Sequence, residues 1–181
     1  ENMKKAVKEI FGNEKLVAER YVSSKDEDMV NDTIGRIDYE SNKIIGEAKT
    51  KPPTIKKKRG KDEYYMASTQ LPNDPDPMHI SQVSFYYHCT NRKPFLFYVN
   101  ENEYRIFDDT HDMLRPDYLK HQYNLLTQRL KSWEQLIIFC KGDIQKLSSF
   151  AEPPELNHPF YYRDLIDDQK KQIKQLWGLD T

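Results

Sequence analysis

The 181 residues suffice for one domain with a substantial core. A formal charge of −1, from 28 basic and 29 acidic residues, removes net charge as an argument for or against nucleic acid. No apolar run approaches a membrane span, and two cysteines are too few for a cysteine-built zinc site or an iron–sulfur cluster within the chain.

No signal-peptide pattern opens the chain, which starts at Glu1 rather than Met and so reads as a fragment or a processed form. Residues 3–12 favour a helix ending near Gly12-Asn13. Leu16–Val22 alternates apolar and polar residues, a strand pattern that carries Glu19. Residues 23–31 form a polar, acidic loop. Two strand-like flanks follow, Thr33–Tyr39 and Ile44–Thr50, with a turn between them.

If that turn centres on Ser41-Asn42, Asp38 lies opposite Ile45 and shares one face with Glu47 and Lys49. Two carboxylates so placed can grip one hard cation, Mg²⁺ or Mn²⁺. The cation can activate water and neutralise phosphate charge, and a lysine beside it can stabilise further negative charge. The combination suits phosphodiester hydrolysis. On the same geometry Arg36 opposes Glu47, and Asp32 is too distant to share the ion.

From Lys49 to Lys61 there are seven basic residues and no acids: Lys49, Lys51, Lys56, Lys57, Lys58, Arg59 and Lys61. Pro52-Pro53 stops any strand there. Taken alone this is a solvated, mobile loop. Attached to a metal site, its cations can hold a phosphate backbone in register. Residues 62–78 read as loop, and Tyr64-Tyr65, like Tyr161-Tyr162, as partly buried tyrosines, with stacking on unpaired bases the alternative.

His79–Thr90 reads as a helix with Gln82 and Tyr86 on one face and Ile80, Val83 and Tyr87 on a core stripe. Pro94–Val99 is a buried strand and Tyr104–Phe107 its hairpin partner. Pro116–Lys141 is one amphipathic helix whose stripe of Leu119, Tyr123, Leu126, Leu130, Trp133, Ile137 and Cys140 is assigned to the core, ended by Gly142. Cys140 on that stripe reads as a buried thiol, which fits a reducing cytoplasm. A short helix over 143–150, a Pro-rich connection over 151–158 and a polar helix over 164–177 close the chain. Neither a repeat nor a clear second domain is visible. The expectation is a single domain over 1–181, with a core at about 3–108 and a helical C-terminal part at about 116–178. The fold class is α/β, a small mixed sheet flanked by helices.

Four segments carry a resemblance. They are Glu19-Arg-Tyr-Val, Gly35-Arg-Ile-Asp38, Ile45-Gly-Glu47-Ala-Lys49-Thr50 and Gln82-Val-Ser-Phe-Tyr86. In this order, with apolar strands between, they resemble the motifs of the PD-(D/E)xK nuclease superfamily. The resemblance is particularly to its RecB-like and phage-type exonuclease branch, with its QxxxY helix. The resemblance covers roughly residues 15–108. It implies a restriction-endonuclease-like αβββαβ core, Asp38 and Glu47 as Mg²⁺ or Mn²⁺ ligands with the Ala48 carbonyl as a third, and Lys49 as the catalytic lysine. It further implies that Gln82 and Tyr86 line the site and that Glu19 is an outer contributor. The branch's helix-borne metal-binding His has no counterpart in residues 1–15.

The activity implied is a DNA exonuclease acting on single strands or duplex ends, of viral or bacterial origin, as a homo-oligomer or with a recombination or replication partner. A catalytically silent nucleic-acid-binding module and an RNA endonuclease are the alternatives. His79, His88, His111, His121 and His158 are assigned to surface or core, and none is taken as a ligand.

Overall fold

A computed structural model describes residues 1–152 and 165–179. The chain divides into two compact units, Glu1–Arg129 and Leu130–Thr181. Tyr161-Tyr162 and most of the expected Pro-rich connection lie outside the described residues.

The first unit is a mixed α/β layer. Helix α1 (Asn2–Phe11) stops at Gly12, whose φ of 57° with ψ of −118° suits a residue without a Cβ, and whose N–H caps the Lys8 carbonyl. Strands β1 (Val17–Ser24), β2 (Thr33–Glu40) and β3 (Ile44–Thr50) follow. After an inserted hairpin, helix α2 (Pro77–Thr90) begins where the Asp76 side chain accepts from the Met78 N–H, with Pro77 in the first turn, and ends at left-handed Asn91. It crosses back to β6 (Lys93–Val99), parallel to β3, and β7 (Tyr104–Phe107) closes the sheet. The five-stranded order is β1-β2-β3-β6-β7.

Each face of the sheet has its own core. On one face Phe11, Ala6 and Ile10 of α1 bury Phe97 and Val99, with Tyr39, Ile44 and Ala48 packed alongside. On the other, Phe85 and Tyr86 of α2 pack on Val22, Ile37 and Ile45. A neighbouring cluster joins Ile80 and Val83 to Leu96, Tyr98, Leu114 and Leu119.

Two expectations about strands are corrected. The β2–β3 register pairs Tyr39 with Gly46 and Glu40 with Ile45, so Asp38 does not face Ile45. The Ser41 hydroxyl accepts from the N–H groups of Lys43 and Ile44, and the Ser41 N–H donates to the Ile44 carbonyl, so the loop spans Ser41–Lys43. Continuing this register sets Asp38, not Arg36, against Glu47. The shift is two residues, so side-chain parity survives it. The stretch read as loop over 51–78 contains a second sheet, β4 (Thr54–Lys57) paired antiparallel with β5 (Tyr64–Ala67). Its β-branched and aromatic residues favour extended pairing, and Gly60 at φ 74° serves the turn.

The long helix α3 (Pro116–Phe139) forms as expected, but its stripe is not all core. Leu119 is buried and Tyr123, Leu126 and Leu130 are half-buried, while Trp133 and Ile137 are 45% and 48% exposed. The first unit ends at Arg129, so the later half of the stripe lies beyond the unit that holds the sheet. Cys140 is a buried free thiol.

In the second unit, α4 (Ile144–Ser148) is capped by the Asp143 side chain, and α5 (Asp167–Leu176) presents Ile173 and Leu176 to a hollow shared with Ile144 and Leu165. The Trp177 indole N–H donates to the Ala151 carbonyl. Among the described residues no helix is long and apolar enough to cross a membrane.

Candidate functional site

Glu47 lies in the middle of β3, flanked by β2 and β6, and only 2% of it is exposed. Its Oε1 takes the Lys49 ammonium at 2.5 Å, while its Oε2 is buried without a hydrogen-bond partner. Such an orphan is costly, because burial strips water from a charge and nothing replaces it. Burial accordingly lifts the Glu47 pKa to about 7; Lys49 pulls it down and the nearby Asp38 carboxylate pushes it up again.

Asp38 reaches this spot by a departure from strand alternation. Gly35 and Ile37 face α2: a Cβ on Gly35 would come within 2.7 Å of the Phe85 and Tyr86 rings, and Ile37 packs with both. Strict alternation would send Asp38 to the α1 face. Instead its Oδ2 accepts from the Ala48 N–H at 2.9 Å, and its charge acts on Glu47 and Tyr86. The next residue, Tyr39, packs against Phe11 and Phe97 on the α1 face. Ile37 and Asp38, adjacent in sequence, therefore act on the same side.

The irregularity is visible across the ladder in β1. Ala18 pairs with Tyr39 and Arg20 with Ile37, but the intervening Glu19, which that register would set against Asp38, is not paired. Glu19 has a φ of 56°, a left-handed conformation unfavourable for a side chain with a Cβ. Its carboxylate is largely exposed and lies 3.6 Å from the Arg36 guanidinium.

Lys49 is held by a directional chain. Its ammonium donates to Gln82 Oε1 at 2.8 Å, which turns the amide so that Nε2 donates to the Tyr86 hydroxyl at 2.7 Å. The Tyr86 hydroxyl then donates to the Arg36 carbonyl at 2.6 Å. A lysine can only donate, so each polarity downstream is fixed by the first. Burial holds the Tyr86 pKa up at about 12, against the Gln82 hydrogen bond, so its proton stays in place. The i, i+4 spacing of Gln82 and Tyr86 thus bridges α2 to both β3 and β2.

Sequence reasoning missed the role of Gly35, whose missing Cβ lets the Tyr86 ring approach β2. It also missed the surroundings of His79. The buried Tyr98 hydroxyl accepts from the Asp76 N–H at 2.9 Å and lies 2.8 Å from His79 Nδ1. Burial and then the Lys49 charge lower the His79 pKa to about 4, so the ring is neutral. Neither feature leaves a periodic signal in sequence.

Of the thirteen residues singled out, Asp38, Glu47, Lys49, Gln82 and Tyr86 converge, with Ala48 contributing its N–H. Lys51 lies under the site strand's end, its Nζ 5.8 Å from the Tyr98 ring. Lys56, Lys57, Lys58, Arg59 and Lys61 lie on the β4–β5 hairpin and its turn. The tyrosines there correct the expectation of partial burial: Tyr64 is 66% exposed and Tyr65 45%. Among the described residues no three His, Cys, Asp or Glu side chains gather into a ready-made metal cage.

The chemistry of the donor set still fits a hard divalent cation. Two neighbouring carboxylates, one with a buried oxygen lacking any partner, leave acceptor capacity that such a cation can satisfy. No family model matches the chain, and no curated protein matches it. Among solved structures, the crystal structure of SSO0001 is similar at 16% identity over 59% of this chain, with a TM-score of 0.37. The chain spans 45% of that protein, and a likeness at this level carries no argument.

Proposed function

We propose that this chain is a metal-dependent DNA nuclease, an exonuclease hydrolysing phosphodiester bonds at DNA ends. The observation that supports it best is the buried, partnerless Oε2 of Glu47 beside Asp38 and Lys49. Asp38 and Glu47 would hold Mg²⁺ or Mn²⁺, with the Ala48 carbonyl as a third ligand and Glu19 at the rim. When bound, the cation supplies charge neutralisation at the phosphate and a more acidic water.

The chain's own residues do the rest. Lys49 offers a fixed ammonium to the negative charge that builds on the phosphate, and Gln82 holds it at one position. Tyr86 keeps Gln82 from turning over. The Ala48 N–H holds Asp38 against β3. Lys51, Lys56–Lys58, Arg59 and Lys61 would bind the backbone of the DNA.

The test is cleavage of linear and closed-circular DNA, with RNA in parallel, in Mg²⁺ or Mn²⁺, comparing wild type with Glu47→Ala and Lys49→Ala. Loss of cleavage in both variants on linear DNA is expected; unchanged activity in both would defeat the assignment. One observation favours a second reading, a silent nucleic-acid-binding module: the Lys49 ammonium already occupies one oxygen of Glu47. That reading predicts salt-sensitive binding with no cleavage under any metal.

A further inference from the structure

The β4–β5 hairpin follows the strand carrying Glu47 and Lys49 and precedes the helix carrying Gln82 and Tyr86 in the order of elements. Ile55 is six residues from Lys49, a reach of at most about 20 Å. The hairpin is a two-stranded sheet on its own, and its side chains do not supply a core. The register sets Ile55 against Met66 and Lys57 against Tyr64 on one face, and Lys56 against Tyr65 on the other. Ile55, Met66 and Tyr64 are 70%, 61% and 66% exposed.

Apolar side chains this exposed on a two-stranded sheet are unusual unless something covers them. The charge around them says what. Residues 51–67 hold six cations against two carboxylates, in a chain whose net charge is −1. Asp62 and Glu63 engage Lys57 and Lys58, while Lys56, Arg59 and Lys61 pair with no carboxylate among the described residues. The Lys57 ammonium lies 5.9 Å from the Tyr64 ring centre, so charge and aromatic surface are presented together. Phosphates alone would need only the cations. Duplex DNA hides its base faces in the stack, whereas an unpaired strand offers flat apolar bases and phosphates at once.

We infer that the β4–β5 hairpin is a platform for an unpaired nucleic-acid strand, with bases stacking on Tyr64 against the Ile55–Met66 pair and phosphates meeting Arg59 and Lys61 of the turn. The inference rests on the nucleic-acid reading of the adjoining site and narrows its substrate to a single-stranded segment.

The test is fluorescence anisotropy in EDTA, with a labelled 20-nucleotide oligothymidine and a blunt 20-base-pair duplex, for wild type, Tyr64→Ala and Tyr64→Phe. Wild type is expected to prefer the single strand at least tenfold. Tyr64→Ala should weaken that affinity about tenfold, leave duplex binding unchanged, and be rescued by Tyr64→Phe. Far-UV circular dichroism checks that the variants fold. Equal affinity for the two oligonucleotides, or an unaffected Tyr64→Ala, overturns the inference. So does a wild-type dimer in sedimentation that Tyr64→Ala dissociates without changing oligonucleotide affinity, since a second copy would then cover the face. Cleavage of thymidine 5′-(p-nitrophenyl) phosphate in Mn²⁺ separates the two readings. Cleavage with no Tyr64-dependent binding sinks the platform alone; Tyr64-dependent binding with no cleavage sinks the nuclease alone.

Discussion

Lys49 satisfies one oxygen of Glu47 and leaves the other buried with no partner. The pair is therefore only half an ion pair. Burial without full compensation is what raises the Glu47 pKa from its ordinary 4.5 to about 7.

A pH-dependent penalty follows. Below the unfolded value Glu47 is neutral in both states and costs nothing. As pH rises through the folded value near 7, the folded protein must ionise a group the unfolded chain ionised earlier, and stability falls by about 3 kcal/mol in all. Glu47→Gln removes the charge. In metal-free buffer the variant should melt several degrees above wild type at pH 8, with the gap closing by pH 4.5. Adding Mn²⁺ at pH 8 should raise the wild-type midpoint and not the variant's. Calorimetric scans at both pH values check this. A gap independent of pH would show that Glu47 is not the penalised group.

Gln82→Leu removes the acceptor that positions the Lys49 ammonium and the donor to Tyr86. Because the lysine itself remains, we expect kcat to fall about 10- to 100-fold with KM little changed, the pattern of a lost positioning contact. Tyr86→Phe leaves Lys49 and Gln82 bonded to each other but removes the hydroxyl that donates to the Arg36 carbonyl and accepts from Gln82, so about 1–2 kcal/mol of stability should go with a smaller kinetic loss. Steady-state kinetics and urea titrations on both variants distinguish the two patterns.

Gly35→Ala places a methyl group where two aromatic rings already sit. The expected cost is about 1–3 kcal/mol. Because Tyr86 must move, the Gln82 hydrogen bond should weaken too. Reduced denaturant midpoint together with reduced cleavage is the predicted outcome; a stable variant with lost cleavage would point away from ring displacement.

Glu19→Gly relieves a left-handed conformation and gives up only an exposed ion pair with Arg36. A gain of about 1 kcal/mol is expected. Divalent-ion affinity, read by calorimetric titration, decides the residue's other role: an unchanged value would remove Glu19 from the rim of the metal site, and a tenfold loss would keep it there.

The order along the chain of the elements that build the main sheet was legible, since α1, β1 to β3, α2, β6 and β7 each have their own periodicity. The shared face of Asp38 and Glu47 was legible too, although Asp38 was set opposite Ile45 and Glu47 only diagonal to it. The wrong turn register was off by two, which conserves parity. Regular alternation along β2 would not bring Asp38 there: it reaches the α2 side because the β1–β2 ladder breaks at Glu19 and Asp38. A local backbone choice of that kind depends on tertiary contacts and has no sequence period. The hairpin was missed for another reason: a dense run of lysines masks the short β-branched and aromatic strands beside it. The α3 stripe shows the opposite error. Helical periodicity reports an apolar face, and whether anything packs on that face is decided elsewhere in the chain.

At the base of the β4–β5 insert, the Lys51 N–H donates to the Val99 carbonyl, the Thr69 hydroxyl to the Pro52 carbonyl and the Asn100 amide to the Thr69 carbonyl. These three bonds close the neck of the excursion on the main sheet. Residues 53–68 are therefore a cassette with a sealed mouth. Excising them is expected to leave the five-stranded sheet folded, which far-UV circular dichroism of the shortened chain checks.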